Sequence, residues 1–206
     1  GRGGRGGRGG RGGRGGRGGS GEGKLALMVL AATVPVAAAG LLAHDVVAGS
    51  LRSVKVIAWS SIIWGVVLWA ADRRPGGREV REVSWAAALF VGAAQALALV
   101  PGTSRSGITI TAGLFSGLSR PAAARFSFLL AVVVGALAGG KEGADMIKAG
   151  MDTPWSAVGL GFAVAFASAY VTIHYFLRFI SRASMTPFVI YRVALGVLLL
   201  LIAYGG

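Results

Sequence analysis

Residues 84–118 read SWAAALFVGAAQALALV (84–100), PGTSRSG (101–107) and ITITAGLFSGL (108–118), and how this stretch lies in the chain decides the fold. The first piece is apolar for 17 residues, the second breaks it with proline, glycine and arginine, and the third runs only 11 residues before Ser119-Arg120-Pro121. A bilayer core about 30 Å thick takes about 20 helical residues. The third piece is too short to span.

On either side lie five longer apolar stretches, Leu25–Ala43, Val54–Ala71, Ala122–Gly140, Trp155–Leu177 and Thr186–Tyr204. The 206-residue chain is 54% hydrophobic and 14% charged, where a soluble domain carries about 25% charged residues. Its mean hydropathy is +0.66. The bulk therefore reads as a membrane protein. There is no cysteine, which excludes disulfides, thiolate nucleophiles and cysteine metal sites.

The net charge of +13 needs dividing by position. Residues 1–18 are six copies of Gly-Arg-Gly, and without residues 1–23 the rest carries 15 basic and 7 acidic side chains. The tract cannot bury apolar area to offset the entropy of ordering, so residues 1–23 read as a disordered low-complexity tail and residues 24–206 as the membrane domain. Arg-Gly-Gly repeats also occur in RNA-binding segments, but this one has no interleaved aromatic residue to stack on bases, which argues against nucleic acid as a partner.

Cytoplasmic loops gather Lys and Arg. If residues 84–118 cross the membrane once, the body's loop charges divide seven against six; if they form a re-entrant hairpin, nine against four. The hairpin wins. The expected topology has the N-terminus and the hairpin mouth cytoplasmic and the C-terminus external.

Irregular backbone at membrane depth is tolerated only inside protein or around a water-filled cavity, so the hairpin tip should line one. It holds Arg105, costly in the membrane without a partner, among the hydroxyls of Thr103, Ser104, Ser106 and Thr109. No carboxylate lies nearby in sequence. A glycine-containing loop that opens a helix offers N–H groups and a positive helix end to an anion, and a guanidinium fork suits phosphate oxygens. The alternative is a structural turn in a transporter's broken helix, with Arg105 paired to carbonyls. Of three polar features elsewhere, His44-Asp45 reads as a polar pair at a helix end, His174 as hydrogen-bonded to a neighbouring helix, and Arg192, about 9 Å into the last apolar stretch at 1.5 Å per residue, as pointing to the cavity.

The run Gln95-Ala96-Leu97-Ala98-Leu99-Val100-Pro101-Gly102-Thr103-Ser104-Arg105-Ser106-Gly107-Ile108-Thr109-Ile110 resembles a signature of the bacterial undecaprenyl-pyrophosphate phosphatases, also called bacitracin-resistance proteins. Ser119-Arg120-Pro121, the Phe126-Ser127-Phe128-Leu129-Leu130 run and Pro187-Phe188-Val189-Ile190-Tyr191-Arg192 resemble the same family. The resemblance implies an all-α polytopic membrane protein with an inverted-repeat fold and a re-entrant helix-loop-helix hairpin. It also implies removal of one phosphate from undecaprenyl diphosphate, which recycles the lipid carrier for peptidoglycan, in the bacterial inner membrane.

Carried over by position, Arg105 and Ser104 become catalytic, and Gly102, Thr103, Ser104, Arg105, Ser106, Thr109, Gln95 and Arg192 become ligands of the diphosphate. The implied partners are a polyprenyl diphosphate and membrane lipids, with a homodimer left open. The family's other signature, of the type E-G-x-x-E-F-L-P-x-S-S-x-G-H, has no counterpart beyond Glu22-Gly23. A divalent cation is expected from the family, but the glutamates that would hold it are absent. The expectation is therefore an N-terminally truncated chain, without the first hairpin and with little activity of its own. A lipid or anion transporter on the same frame is the competing class.

Overall fold

The computed structural model describes residues 18–42, 53–73, 76–149 and 154–205. They form seven α-helices: α1 Gly18–Leu42, α2 Val54–Asp72, α3 Trp85–Ala96, α4 Arg105–Phe115, α5 Arg120–Lys148, α6 Trp155–Ile180 and α7 Thr186–Gly205. Five of them, α1, α2, α5, α6 and α7, are long and apolar enough to cross a membrane. The chain is an all-α polytopic membrane protein. Residues 1–17 of the expected tail and His44-Asp45 lie outside the described residues, and α1 begins at Gly18, six residues before the expected domain boundary at Lys24.

Serine marks the starts of four helices. Ser53, Ser84, Ser104 and Ser119 each accept a backbone N–H three residues on, at 3.2, 3.2, 3.2 and 3.4 Å. A side-chain oxygen there satisfies a donor that the helix itself leaves unpaired. Pro121 sits in the first turn of α5, where a missing N–H costs nothing. That helix runs eight residues past the expected Gly140, aided by an ion pair of Lys141 with Asp145 one turn on, at 2.7 Å.

Residues 84–118 do double back. Helices α3 and α4 have 12 and 11 residues, about 18 and 16 Å at 1.5 Å per residue, or roughly half a bilayer core each. Their outer ends are tied together: Arg78 N–H donates to Gly117 O at 3.3 Å, Ser119 N–H donates to Arg78 O at 2.9 Å, and the Arg78 guanidinium donates to Ser116 O. The hairpin enters and leaves on one side.

Small residues let the helices approach closely, as they must where lipid supplies no hydrophobic drive for association. A Cβ at Gly92 would overlap the Ala32 backbone, so α3 lies directly on α1. Gly196 does the same between α7 and α2, where a Cβ would sit 2.8 Å from Ala58 O. The core gathers Met28, Ala88, Val91, Leu114, Leu118, Phe126, Leu130 and Met185 from both hairpin arms and the helices around them. Helix α6 joins it only at its end, and is exposed from Trp155 to Thr172.

Below the hairpin mouth one carboxylate holds three elements. Asp72, 6% exposed at the end of α2, accepts from Arg120 Nε at the start of α5 and from the Met185 N–H ahead of α7, the latter at 2.9 Å. Arg120 also donates to the Asp72 carbonyl at 3.0 Å. At the opposite end the Lys55 ammonium lies 4.2 Å above the Tyr204 ring, so α2 and α7 are antiparallel neighbours along their length. Removing one partner of a buried ion pair leaves the other uncompensated, at a cost of about 3 kcal/mol. Asp72→Ala should lower the thermal unfolding midpoint in detergent by far more than Lys55→Ala, and equal effects would show that the carboxylate is not a tie.

Candidate functional site

The hairpin tip is a turn that only this sequence context permits. Pro101 ends the first arm, and Gly102 takes φ of +89°, a conformation that side chains resist. A Cβ at Gly102 would also strike the Ile57 backbone of α2. The freed Gly102 carbonyl accepts from Ser61 Oγ of α2 at 3.3 Å and from Arg192 of α7 at 2.8 Å. Two spanning helices thereby grip the tip of the hairpin.

Two cavities flank the start of α4. The larger, about 410 Å³, is lined by Ser61, Gly102, Ser104, Ser106, Gly107, Tyr191 and Arg192, and by an apolar wall from α2, α6 and α7. The smaller, about 250 Å³, is lined by Arg105, Ser106, Ser127, Phe128 and Ala131. Ser106 borders both.

Each cavity thus contains one guanidinium, and no ion pair among the described residues involves either. Arg105 donates from Nε to Gln95 Oε1 at 3.1 Å and from one terminal nitrogen to Leu130 O at 2.8 Å. These neutral acceptors orient the fork and leave its charge in place. Arg192 has donated only one N–H, to Gly102, and its buried Nε has no partner. Of five N–H groups on such a fork, most remain for a ligand.

Of the residues expected at the site, Gly102, Ser104, Arg105, Ser106 and Arg192 line the cavities. Gln95, Thr103 and Thr109 do not: they are 0%, 1% and 1% exposed. Gln95 acts on Arg105 from behind. Thr109 donates to Arg105 O at 2.9 Å and meets Ser127 Oγ at 2.6 Å, stitching α4 to α5. His174 is exposed on α6 with its ring edge-on to Tyr175 at 5.5 Å, away from both cavities.

Sequence reasoning passed over Ser127 and Ser61. Both lie within apolar helices, and only the packing of α5 and α2 against the tip reveals them. It also missed Asp72, which stands one residue beyond the apolar stretch that marked α2.

The donor set is that of an anion site. Guanidinium groups, hydroxyls and the N-terminal N–H groups of an 11-residue helix converge where negative charge would be stabilised. Among the described residues no group of three or more His, Asp or Glu side chains comes together. Hydroxyls beside two guanidinium groups make a poor cage for a divalent cation, which takes carboxylate and carbonyl oxygens. The described residues do not fit the expected metal.

The sequence has relatives among known proteins. Residues 11–198 match the family model described as bacitracin resistance protein BacA. The chain is 51% identical over 179 residues to the undecaprenyl-diphosphatase of Teredinibacter turnerae, an overlap of 86% of this chain and 68% of the relative. It is 46% identical over 189 residues to undecaprenyl-diphosphatase 2 of Stutzerimonas stutzeri, with 90% of this chain and 70% of the relative covered.

If the neutrality of Gln95 keeps the Arg105 charge available, Gln95→Glu should supply an internal counterion. Affinity for inorganic pyrophosphate, titrated in detergent, should then fall about tenfold, near 1.4 kcal/mol. Unchanged affinity would mean that the anion does not depend on Arg105.

Proposed function

Because the chain belongs to the bacitracin resistance protein BacA family, we propose that it is an undecaprenyl-diphosphate phosphatase whose substrate is held at the hairpin tip by Arg105, Arg192, Ser104 and Ser106. The observation that carries this reading is the pair of guanidinium groups, one on each side of the α4 N-terminus, without carboxylate partners among the described residues. A lipid diphosphate has two anionic groups to match them.

In the reaction, water adds to the terminal phosphorus, the bridging P–O bond breaks, and undecaprenyl phosphate leaves. Charge builds on the oxygens of the transferred group and on the leaving oxygen. Arg105 lines the smaller cavity at the N-terminus of α4, already oriented toward developing charge, so no reorganisation is needed at the moment of reaction. Gln95 Oε1 and the Leu130 carbonyl hold the Arg105 fork in that orientation, while Thr109, itself against Ser127, donates to the Arg105 backbone carbonyl.

Proton transfer is the part that these cavities do not supply. Among the described residues no Asp, Glu or His lines either one, and a positioned general base contributes about 10²–10⁴-fold. Assayed side by side in detergent, the 206-residue chain should release phosphate from undecaprenyl diphosphate at about 10²-fold or more below the rate of the Teredinibacter relative. Arg105→Ala should lower the remaining rate by about 10²-fold. Saturable binding of the lipid diphosphate that ignores Arg105→Ala would sink the assignment of the site.

The protein resides in the bacterial inner membrane with the Asp72–Arg120 end cytoplasmic. Lys24, Arg73, Arg78, Arg81, Arg120, Arg125, Arg178 and Arg182 belong to helix ends or loops of that side, against Lys55, Lys141 and Lys148 of the other. This asymmetry supports the orientation. Gly77 has open space around it, whereas Gly76 lies against the Gly117 backbone. In intact cells an impermeant thiol reagent should therefore label Lys148→Cys and spare Gly77→Cys; the reverse pattern would invert the topology.

A further inference from the structure

The two cavities are unequal in a way that gives a diphosphate lipid a direction. The Arg105 cavity is small, and two of its five lining residues are serines. It has room for a phosphoryl group beside the Arg105 guanidinium. The Arg192 cavity is larger, and beyond its polar rim of Ser104, Ser106 and Gly102 it continues between Ile57, Leu68, Phe176, Phe188 and Leu195. These side chains come from α2, α6 and α7, so the wall leads outward between spanning helices.

Resting on the reading that the ligand is a polyprenyl diphosphate, we propose that Ser106 divides two phosphate subsites: Arg105 takes the terminal phosphate, and Arg192 takes the phosphate bonded to the prenyl chain, whose first units lie along the apolar wall.

The physical case is the mismatch that the opposite orientation would create. A chain leaving the Arg105 cavity would have to pass Ser127 and Phe128, and the apolar wall of the larger cavity would have no chain to cover it. Leaving such a wall uncovered forgoes the burial of apolar surface that a prenyl chain would supply. In the proposed orientation each phosphate has a guanidinium and a share of Ser106, and the chain meets only apolar surface. Arg192 is well placed for the inner phosphate. Its anchored N–H fixes the fork on Gly102, its Nε is unused, and another terminal nitrogen lies 3.2 Å from where a Cβ on Gly107 would sit, at the first turn of α4. The arrangement also says what remains after hydrolysis: the prenyl monophosphate stays on Arg192, while free phosphate leaves from Arg105.

The test compares farnesyl diphosphate with farnesyl monophosphate, each titrated against the full chain in detergent. The monophosphate has only the chain-linked phosphate. A charge-assisted hydrogen bond contributes about 1.5–3 kcal/mol, about 10- to 100-fold in affinity. Arg192→Gln should weaken both ligands by that range, whereas Arg105→Gln should weaken the diphosphate about tenfold more than the monophosphate. Equal losses of the two ligands in Arg105→Gln, or a monophosphate that ignores Arg192→Gln, would overturn the orientation. Leu195→Trp narrows the apolar wall and replaces neither arginine. It should lower the affinity for farnesyl diphosphate relative to inorganic pyrophosphate, and an unchanged ratio would place the chain elsewhere. If the wild-type chain binds neither prenyl ligand, the functional reading itself fails, and the orientation with it.

Discussion

The carbonyl of Gly102 is the point on which the structure turns. A helix broken at membrane depth exposes backbone polar groups that lipid cannot satisfy, and the break at residues 101–104 is survivable only because Ser61 and Arg192 reach that oxygen from α2 and α7. Satisfying the backbone brings a guanidinium to the hairpin tip. The same contact that closes the fold therefore supplies half of the positive charge of the site. Gly102 has no freedom to be another residue, since its φ of +89° and its approach to Ile57 both exclude a Cβ.

The other end of the hairpin is held by a different chemistry. Asp72 fixes the starts of α5 and α7 against the end of α2, and Arg78 joins the two arms through Gly117 and Ser119. These ties lie near the membrane boundary, where water can help to solvate the charges. The tip must do without carboxylates if it is to bind an anion. Acidic partners at the mouth and neutral ones at the tip give the arginines of one short region two roles: Arg120 is neutralised and structural, while Arg105 and Arg192 are oriented but uncompensated.

Much of this was legible in the sequence because membrane helices are written in long apolar runs. Three of the five spans fall within three residues of their expected limits, while α1 starts seven residues early and α5 runs eight residues on. The loop charges already favoured a hairpin over a single crossing. Arg105 could be picked out since an arginine among hydroxyls in an apolar setting demands a partner. What was not legible was which side of each helix faces the tip. Gln95, Thr103 and Thr109 stand in the signature beside Arg105, yet their side chains turn into the packing between α3, α4 and α5. Ser127 and Ser61 look like incidental polar residues until their helices are docked. Asp72 escaped because apolar stretches are delimited by where charge begins, which places a boundary carboxylate outside the segment it anchors.

The account rests on a diphosphate straddling the first turn of α4. The most direct measurement is a structure of the chain in lipid nanodiscs with a methylene-bridged prenyl diphosphonate, which cannot be cleaved at the bridge. The account predicts one phosphorus beside Arg105 and the other beside Arg192, on opposite sides of Ser106, with the chain running between α2 and α7. Phosphorus density away from residues 102–107 would contradict it.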